Sequence, residues 1–239
     1  MGKARGGEKA MRLYELAGAE AERRFSPYCW RIRMALAHKG LAAECVPWRF
    51  TEKEAIAKSG QPRVPVLVEG ERWIADSQAI AEYLEATYPE RPSLFGGAGG
   101  QALSRFLTAW TDTVVNAALV RMLVLDIWGH VAAKDREYFR ASREARFGMT
   151  LEAAVADRDT RLPAFRASLE PMRQVLAKQD FLGGAHPLYA DYTLFGAFQW
   201  ARCISDYRLL AADDPVAAWR GRMLGLFGGM AGAASGYPV

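Results

Sequence analysis

The sequence predicts a small α/β unit followed by an all-helical unit, and three observations carry that division. Short strand-like runs alternate with helical patterns between Met11 and Tyr88. The stretch Pro89 to Gly100 then holds two prolines and four glycines, the composition of a linker. Beyond Gln101 the strand signals stop, and long segments free of Gly and Pro take over.

Residues 1–10 are expected to be a disordered leader, and the fold argument starts at Met11. Met11 to Leu16 reads as a strand. Pro27 to Lys39 reads as a helix, with Ser26 as N-cap, Pro27 in the first helical position and Gly40 as the stop. Cys45 to Trp48 is a second strand, and Thr51 to Lys58 a short, weak helix. Pro65 to Val68 and Arg72 to Ala75 form a hairpin across Glu69-Gly70-Glu71. Ser77 then caps a helix whose Ile80, Leu84 and Tyr88 recur every fourth residue. The first unit thus spans 11–88, and residues 89–100 are the linker. The helical unit spans 101–228. In it, Gln101 to Trp128 forms one long helix and Asp135 to Phe147 another. Met149 to Lys178 is interrupted by Pro163 and Pro171. Tyr189 to Cys203 is apolar enough to be buried on most sides, and Asp214-Pro215 opens a last helix. Residues 229–239 are expected to be a loose tail.

Composition narrows the function. The chain has 239 residues, 51% apolar and 24% charged, with a formal net charge of +4. Lys3, Arg5 and Lys9 in the leader supply much of that charge, and no basic stripe with interleaved aromatics is visible, so nucleic acid is not an expected partner. No apolar run is long enough for a spanning helix, and the N-terminus does not resemble a secretory signal, so no membrane role is expected. Three cysteines (Cys29, Cys45 and Cys203) suit a reduced, cytoplasmic protein. His38, His130 and His186 form no metal-like cluster, so no metal is expected.

Three short motifs carry chemistry, each with a plain structural alternative. Ser26 is first of all a helix cap. A hydroxyl at that position also stands beside free backbone N–H groups and the positive end of the helix dipole, which suits a thiolate. Lowering a thiol by two pKa units requires about 2.7 kcal/mol. A helix terminus provides at most about 2 kcal/mol, and a hydrogen bond to a charged acceptor about 1.5–3. Together they suffice without a general base. Val64-Pro65 is either an ordinary trans strand start or a cis bond that turns the Val64 backbone outward to pair with an extended peptide. Asp76-Ser77 is either an N-cap or a site where Ser77 and the first-turn N–H groups receive a carboxylate while Asp76 receives an ammonium. Arg63 either adds a carboxylate contact or is a solvated surface side chain. Cys29 is either inert and inward-facing or an auxiliary redox group. The set describes a pocket for a small, charged thiol peptide.

The chain resembles the glutathione transferase superfamily. The resemblance rests on Ser26-Pro27-Tyr28-Cys29-Trp30, Ala35-Leu36-Ala37-His38-Lys39-Gly40, Arg63-Val64-Pro65-Val66, the segment Asp76 to Leu84, and Phe181-Leu182-Gly183-Gly184 followed by Ala190-Asp191-Tyr192. Within the superfamily, Ser-Pro-Tyr-x-Trp, Tyr88 to Pro92 and Leu169-Glu170-Pro171 look most like bacterial lignin β-etherases and related fungal serine-type enzymes. The resemblance implies a thioredoxin-like N-terminal domain, an all-helical C-terminal domain, glutathione as co-substrate and usually a homodimer. It implies that Ser26 activates the glutathione thiol, that Val64-Pro65 is cis, and that Arg63, Val64, Pro65, Asp76 and Ser77 hold the peptide. A hydrophobic, aromatic second substrate would lie between Phe25, Tyr28 and the long helix around Trp110, although Trp110, Trp128 and Trp200 also read as core. One position departs from the family pattern: Leu188 stands where a Ser or Thr normally completes a capping box with Asp191. Three functions compete at this point. They are conjugation or β-aryl ether cleavage through Ser26, thiol-disulfide exchange or deglutathionylation through Cys29, and non-catalytic binding of hydrophobic ligands.

Overall fold

A computed structural model describes residues 10–238. The expected leader therefore lies, apart from Ala10, outside the described residues. The first unit runs β1 (Met11–Leu16), α1 (Pro27–Lys39), β2 (Glu44–Trp48), β3 (Val66–Glu69), β4 (Arg72–Ala75) and α2 (Ser77–Thr87), with a 3-10 turn at Lys53–Ser59. The four-stranded sheet has the order β2-β1-β3-β4. β1 and β2 are parallel, while β3 is antiparallel to both β1 and β4. Leu13, Val66, Leu67 and Val68 are buried in its centre, as a sheet covered by helices requires. α1 ends as its sequence dictates. Gly40 adopts φ 63° and donates its N–H to Ala37 and Leu36.

The start of α2 corrects the expectation that Ser77 is the cap. Asp76 is the N-cap, its Oδ1 accepting from Gln78 N at 2.9 Å and Ala79 N at 3.1 Å, and Ser77 is the first helical residue. Asp76 takes φ 78°, a left-handed backbone that a short polar side chain tolerates better than most.

The helical unit comprises α3 (Ala98–Trp110), α4 (Asn116–His130), α5 (Arg136–Phe147), α6 (Leu151–Val155), α7 (Arg158–Ser168), α8 (Glu170–Leu176), α9 (Tyr189–Ile204) and α10 (Pro215–Gly229). The expected single helix over 101–128 is continuous in path but carries a π turn at Thr111–Val115. The extra residue rotates everything after it by roughly 100° relative to α3. Pro163 does not break α7. The interruptions fall around Asp157 and at Leu169, and Pro171 sits in the first turn of α8.

α9 is the hub, buried along nearly its whole length. It packs on α1 at Gly196, where a Cβ would stand 2.3 Å from the Pro27 carbonyl oxygen. Only glycine permits that approach. At the start of α9, Leu188 has no acceptor to offer, so half of the capping box is missing. The other half stands, because Asp191 accepts from Leu188 N at 3.0 Å. The same buried carboxylate accepts from Leu182 N at 2.7 Å, Gly183 N at 2.9 Å and the Trp219 indole at 2.9 Å.

The chain after Gly228 is docked, contrary to the expected loose tail. Arg202 and Gln199 reach into it, with bonds to the carbonyls of Ala231, Gly232 and Ala234. Tyr237 donates its N–H to Arg202 O at 2.8 Å, and its hydroxyl lies 3.2 Å from His130 Nε2. The buried donors of α9 require acceptors, and the turns after Gly228 and Gly229, both at positive φ, bring the tail back to supply them.

Candidate active site

The loop that bears Ser26 is pinned before α1 begins. Trp30, fully buried, donates its indole N–H to Arg24 O at 2.8 Å. Arg24 pairs with Ala17 in an isolated bridge at the end of β1. From the other unit, His130 O accepts from Ala19 N at 2.8 Å, and Gly18 lies so close that a Cβ would stand 2.7 Å from the same oxygen. The loop is therefore clamped between β1 and the end of α4. Ser26 itself has extended backbone and is 4% exposed, and its Oγ accepts from Cys29 N at 3.3 Å. With a lone pair so used, the hydroxyl proton remains to be donated.

Ser26 opens onto a cleft of about 390 Å³ between the two units. Phe25, Ser26, Tyr28, Arg63 and Val64 line it, so the structure brings together five of the residues singled out in the sequence. Phe50, Phe139 and Trp200 supply aromatic walls. Val64-Pro65 is cis and leads directly into β3, with Pro65 buried and Val64 half-buried. Asp76 and Ser77 do not line this cleft. They sit at the end of β4, beside β3 through the Val66–Ala75 pair, with Asp76 exposed and Ser77 buried. The Ser77 carbonyl accepts from the Tyr189 hydroxyl at 2.9 Å.

Trp110 does not line the cleft, and the π turn explains why. Downstream of it, Asn116, Ala117 and Val120 face the cleft, together with Asp112 from the turn itself. In an unbroken helix Trp110 would share the face of Ala117; the inserted residue turns it away, half-buried against the core. Sequence reasoning missed Asp112, Asn116, Phe139, Ser142, Arg143 and Arg146. The last four were detectable as one face of α5, at spacings of three and four.

The electrostatics around Ser26 separate its two neighbours. Cys29 is 1% exposed; burial, aided by Glu15, pushes its thiol up to about 12. Such a thiol is protonated at neutral pH. Tyr28 lies under the Arg31 guanidinium, 4.6 Å from the ring centre, and burial followed by Asp112 raises its phenol. Arg31 is itself buried and donates to Asp112 at 2.6 Å, while Asn116 donates to the same oxygen at 3.0 Å. Among the described residues no cluster of three His, Cys, Asp or Glu could hold a metal ion, and no helix is long and apolar enough to cross a membrane.

A sheet of this order with a cis-proline, joined to a helical unit across a shared cleft, defines a class that the comparisons identify. The family model described as "Glutathione S-transferase, C-terminal domain" matches residues 102–223, and "Glutathione S-transferase, N-terminal domain" matches residues 21–92. The chain belongs to the glutathione S-transferase family, whose co-substrate is glutathione. A probable glutathione S-transferase of rice (Oryza sativa subsp. japonica) is 27% identical over 216 residues, covering 82% of this chain and 80% of the relative. Among solved structures, a glutathione transferase of Phanerochaete chrysosporium superposes with a TM-score of 0.81 at 24% identity, covering 90% of this chain and 96% of the other. One from Ceriporiopsis subvermispora in complex with glutathione gives 0.79 at 24% identity, covering 91% and 96%.

Proposed function

We propose that the protein conjugates glutathione to a hydrophobic, aromatic electrophile, with Ser26 stabilising the thiolate. The observation that carries this reading is the Ser26 hydroxyl at the start of α1, opening onto an aromatic-walled cleft whose margin also holds Arg63 and Val64. Val64 pairs with the peptide backbone, Arg63 takes a carboxylate, and Ser77 with the α2 N-terminus and Asp76 takes the γ-glutamyl end. The thiolate attacks an electrophilic carbon of the second substrate; a carbon–sulfur bond forms as the leaving group departs with the electron pair of its old bond. For a β-aryl ether the leaving group is a phenolate, and this is the reaction to test first. Cys29 does not support the exchange chemistry, since its thiol is buried and protonated.

The experiment is phenol release from a fluorogenic β-aryl ether, and conjugation of chlorodinitrobenzene, with and without glutathione. Ser26→Ala is expected to lower the rate roughly 10- to 100-fold at neutral pH, the effect of losing one hydrogen bond to a charged acceptor. An unchanged rate would remove Ser26 from the mechanism. Conjugation without phenol release would keep the transferase and exclude the etherase.

We further propose a homodimer formed through α3, where Leu103 and Phe106, one turn apart, are 71% and 72% exposed. A cytoplasmic location suits the unpaired cysteines.

A further inference from the structure

We propose that the cleft selects aromatic substrates that carry an anionic group, which Arg143 grips with Arg146 beside it. The proposal rests on the transferase reading above and names the substrate class of the same cleft. Arg143 and Arg146 lie on one face of α5 and both line the cleft. The Arg143 guanidinium stacks on two aromatic walls, 4.5 Å from the Phe139 ring centre and 5.2 Å from that of Phe50. Among the described residues its one hydrogen bond goes to Ser142 Oγ at 2.8 Å. Among the described residues neither guanidinium pairs with a carboxylate.

The acids nearby are already committed. Asp112, the only acid among the described residues that line the cleft, is held by Arg31 and Asn116. Asp135 accepts from Phe50 N, Thr51 N and Thr51 Oγ1. Glu144 is bound to Arg140 at 2.8 Å and to Leu151 N. Arg63, Arg143 and Arg146 therefore leave the cleft with a surplus of positive charge over an apolar floor. Burial lowers the proton affinity of Arg143; Tyr138 opposes that shift and Arg146 adds to it. A guanidinium seated over two rings keeps its N–H groups for a ligand, and a carboxylate, sulfonate or phenolate on an aromatic ligand fits them. The ligand ring would lie against the same aromatic walls. About 390 Å³ is within the range of small-molecule sites.

The test uses the full chain and a matched pair of fluorescent probes, 8-anilinonaphthalene-1-sulfonate and N-phenyl-1-naphthylamine, which differ only by the sulfonate. Wild type should bind the sulfonate more tightly. Arg143→Gln should weaken sulfonate binding roughly 10- to 100-fold, the range for a hydrogen bond to a charged group, while the neutral probe changes by less than about threefold. Arg143→Lys should retain much of the preference. Equal weakening of both probes would show that Arg143 only packs the wall, and sulfonate binding that ignores Arg143→Gln would place the anion elsewhere. Either result overturns the proposal, as does a higher KM for glutathione with sulfonate binding intact. If Arg143→Gln does not fold, Arg146→Gln and the salt dependence of sulfonate binding decide; a preference indifferent to both overturns it. Probe binding needs no turnover, so failure of the transferase reading shows separately, as loss of chlorodinitrobenzene conjugation.

Discussion

Replacing Gly196 by Ala tests whether the contact between α9 and α1 positions the site. The added Cβ would stand 2.3 Å from Pro27 O, 3.2 Å from Pro27 C and 3.3 Å from Arg31 Cγ. An acceptable contact begins at about 3.0–3.4 Å, so the two backbones must separate by roughly 0.7–1.1 Å. No flexible side-chain end can absorb the movement at Pro27. Overpacking of this kind costs about 1–3 kcal/mol, and the severity of the clash places it at the upper end. Ala gains about 1 kcal/mol of helix propensity over Gly, leaving a net loss of about 2 kcal/mol. For a chain of this size that is a fall in Tm of roughly 4–8 °C. Pro27 directly follows Ser26, so the hydroxyl moves with it, and a misplacement of about 1 Å can cost on the order of 100-fold in rate. The assay is a thermal melt together with kcat/KM for glutathione conjugation. Gly225→Ala, where nothing lies within 4 Å of the added Cβ, serves as control and should cost nothing. Gly196→Ala with the melting temperature and kcat/KM of wild type would refute the reasoning.

Other outcomes follow from single groups. Cys29, with its thiol pushed up to about 12, should resist iodoacetamide at neutral pH in the native state and react once unfolded; fast native alkylation would contradict its burial. Asp191→Ala should destabilise the fold by about 3–5 kcal/mol, read from urea unfolding, because four donors lose one buried acceptor. Burial pushes the Glu85 carboxyl up, but Leu94 N, Lys39 and Ser93 together outweigh it and hold it below its usual range. Its contribution is therefore present above the unfolded carboxylate pKa and lost as pH falls through the lower folded value; Glu85→Gln should flatten the acid side of the stability profile. Phe106→Asp should convert a dimer to a monomer in light scattering, and an unchanged mass would reject the α3 interface.

Local punctuation made much of this fold legible. Ser26-Pro27 and Gly40 bound α1, and Asp214-Pro215 opens α10, because caps and prolines act on their own backbone. The grouping of Phe25, Ser26, Tyr28, Arg63 and Val64 was likewise legible as ordered motifs. What stayed hidden depends on partners distant in sequence. At Asp76-Ser77 both residue types can cap, and only the turned backbone of Asp76 decides between them. The π turn leaves no Gly or Pro mark, so the face of Trp110 was misjudged. The spacing of Phe139, Ser142, Arg143 and Arg146 marks one face of α5, but that this face meets Phe50 across the cleft depends on a partner far away in sequence.

The docked segment after Gly228 has a bearing on how firmly the mouth of the cleft is held. Tyr237 touches His130, the residue whose carbonyl also holds Ala19, and it lies beneath the Arg23 guanidinium of the same loop. The loop that bears Ser26 thus borrows part of its rigidity from the segment that follows α10. A substitution at Tyr237, a residue that does not line the cleft, would therefore be felt in the loop that bears Ser26, through the His130 ring and the Arg23 guanidinium it holds.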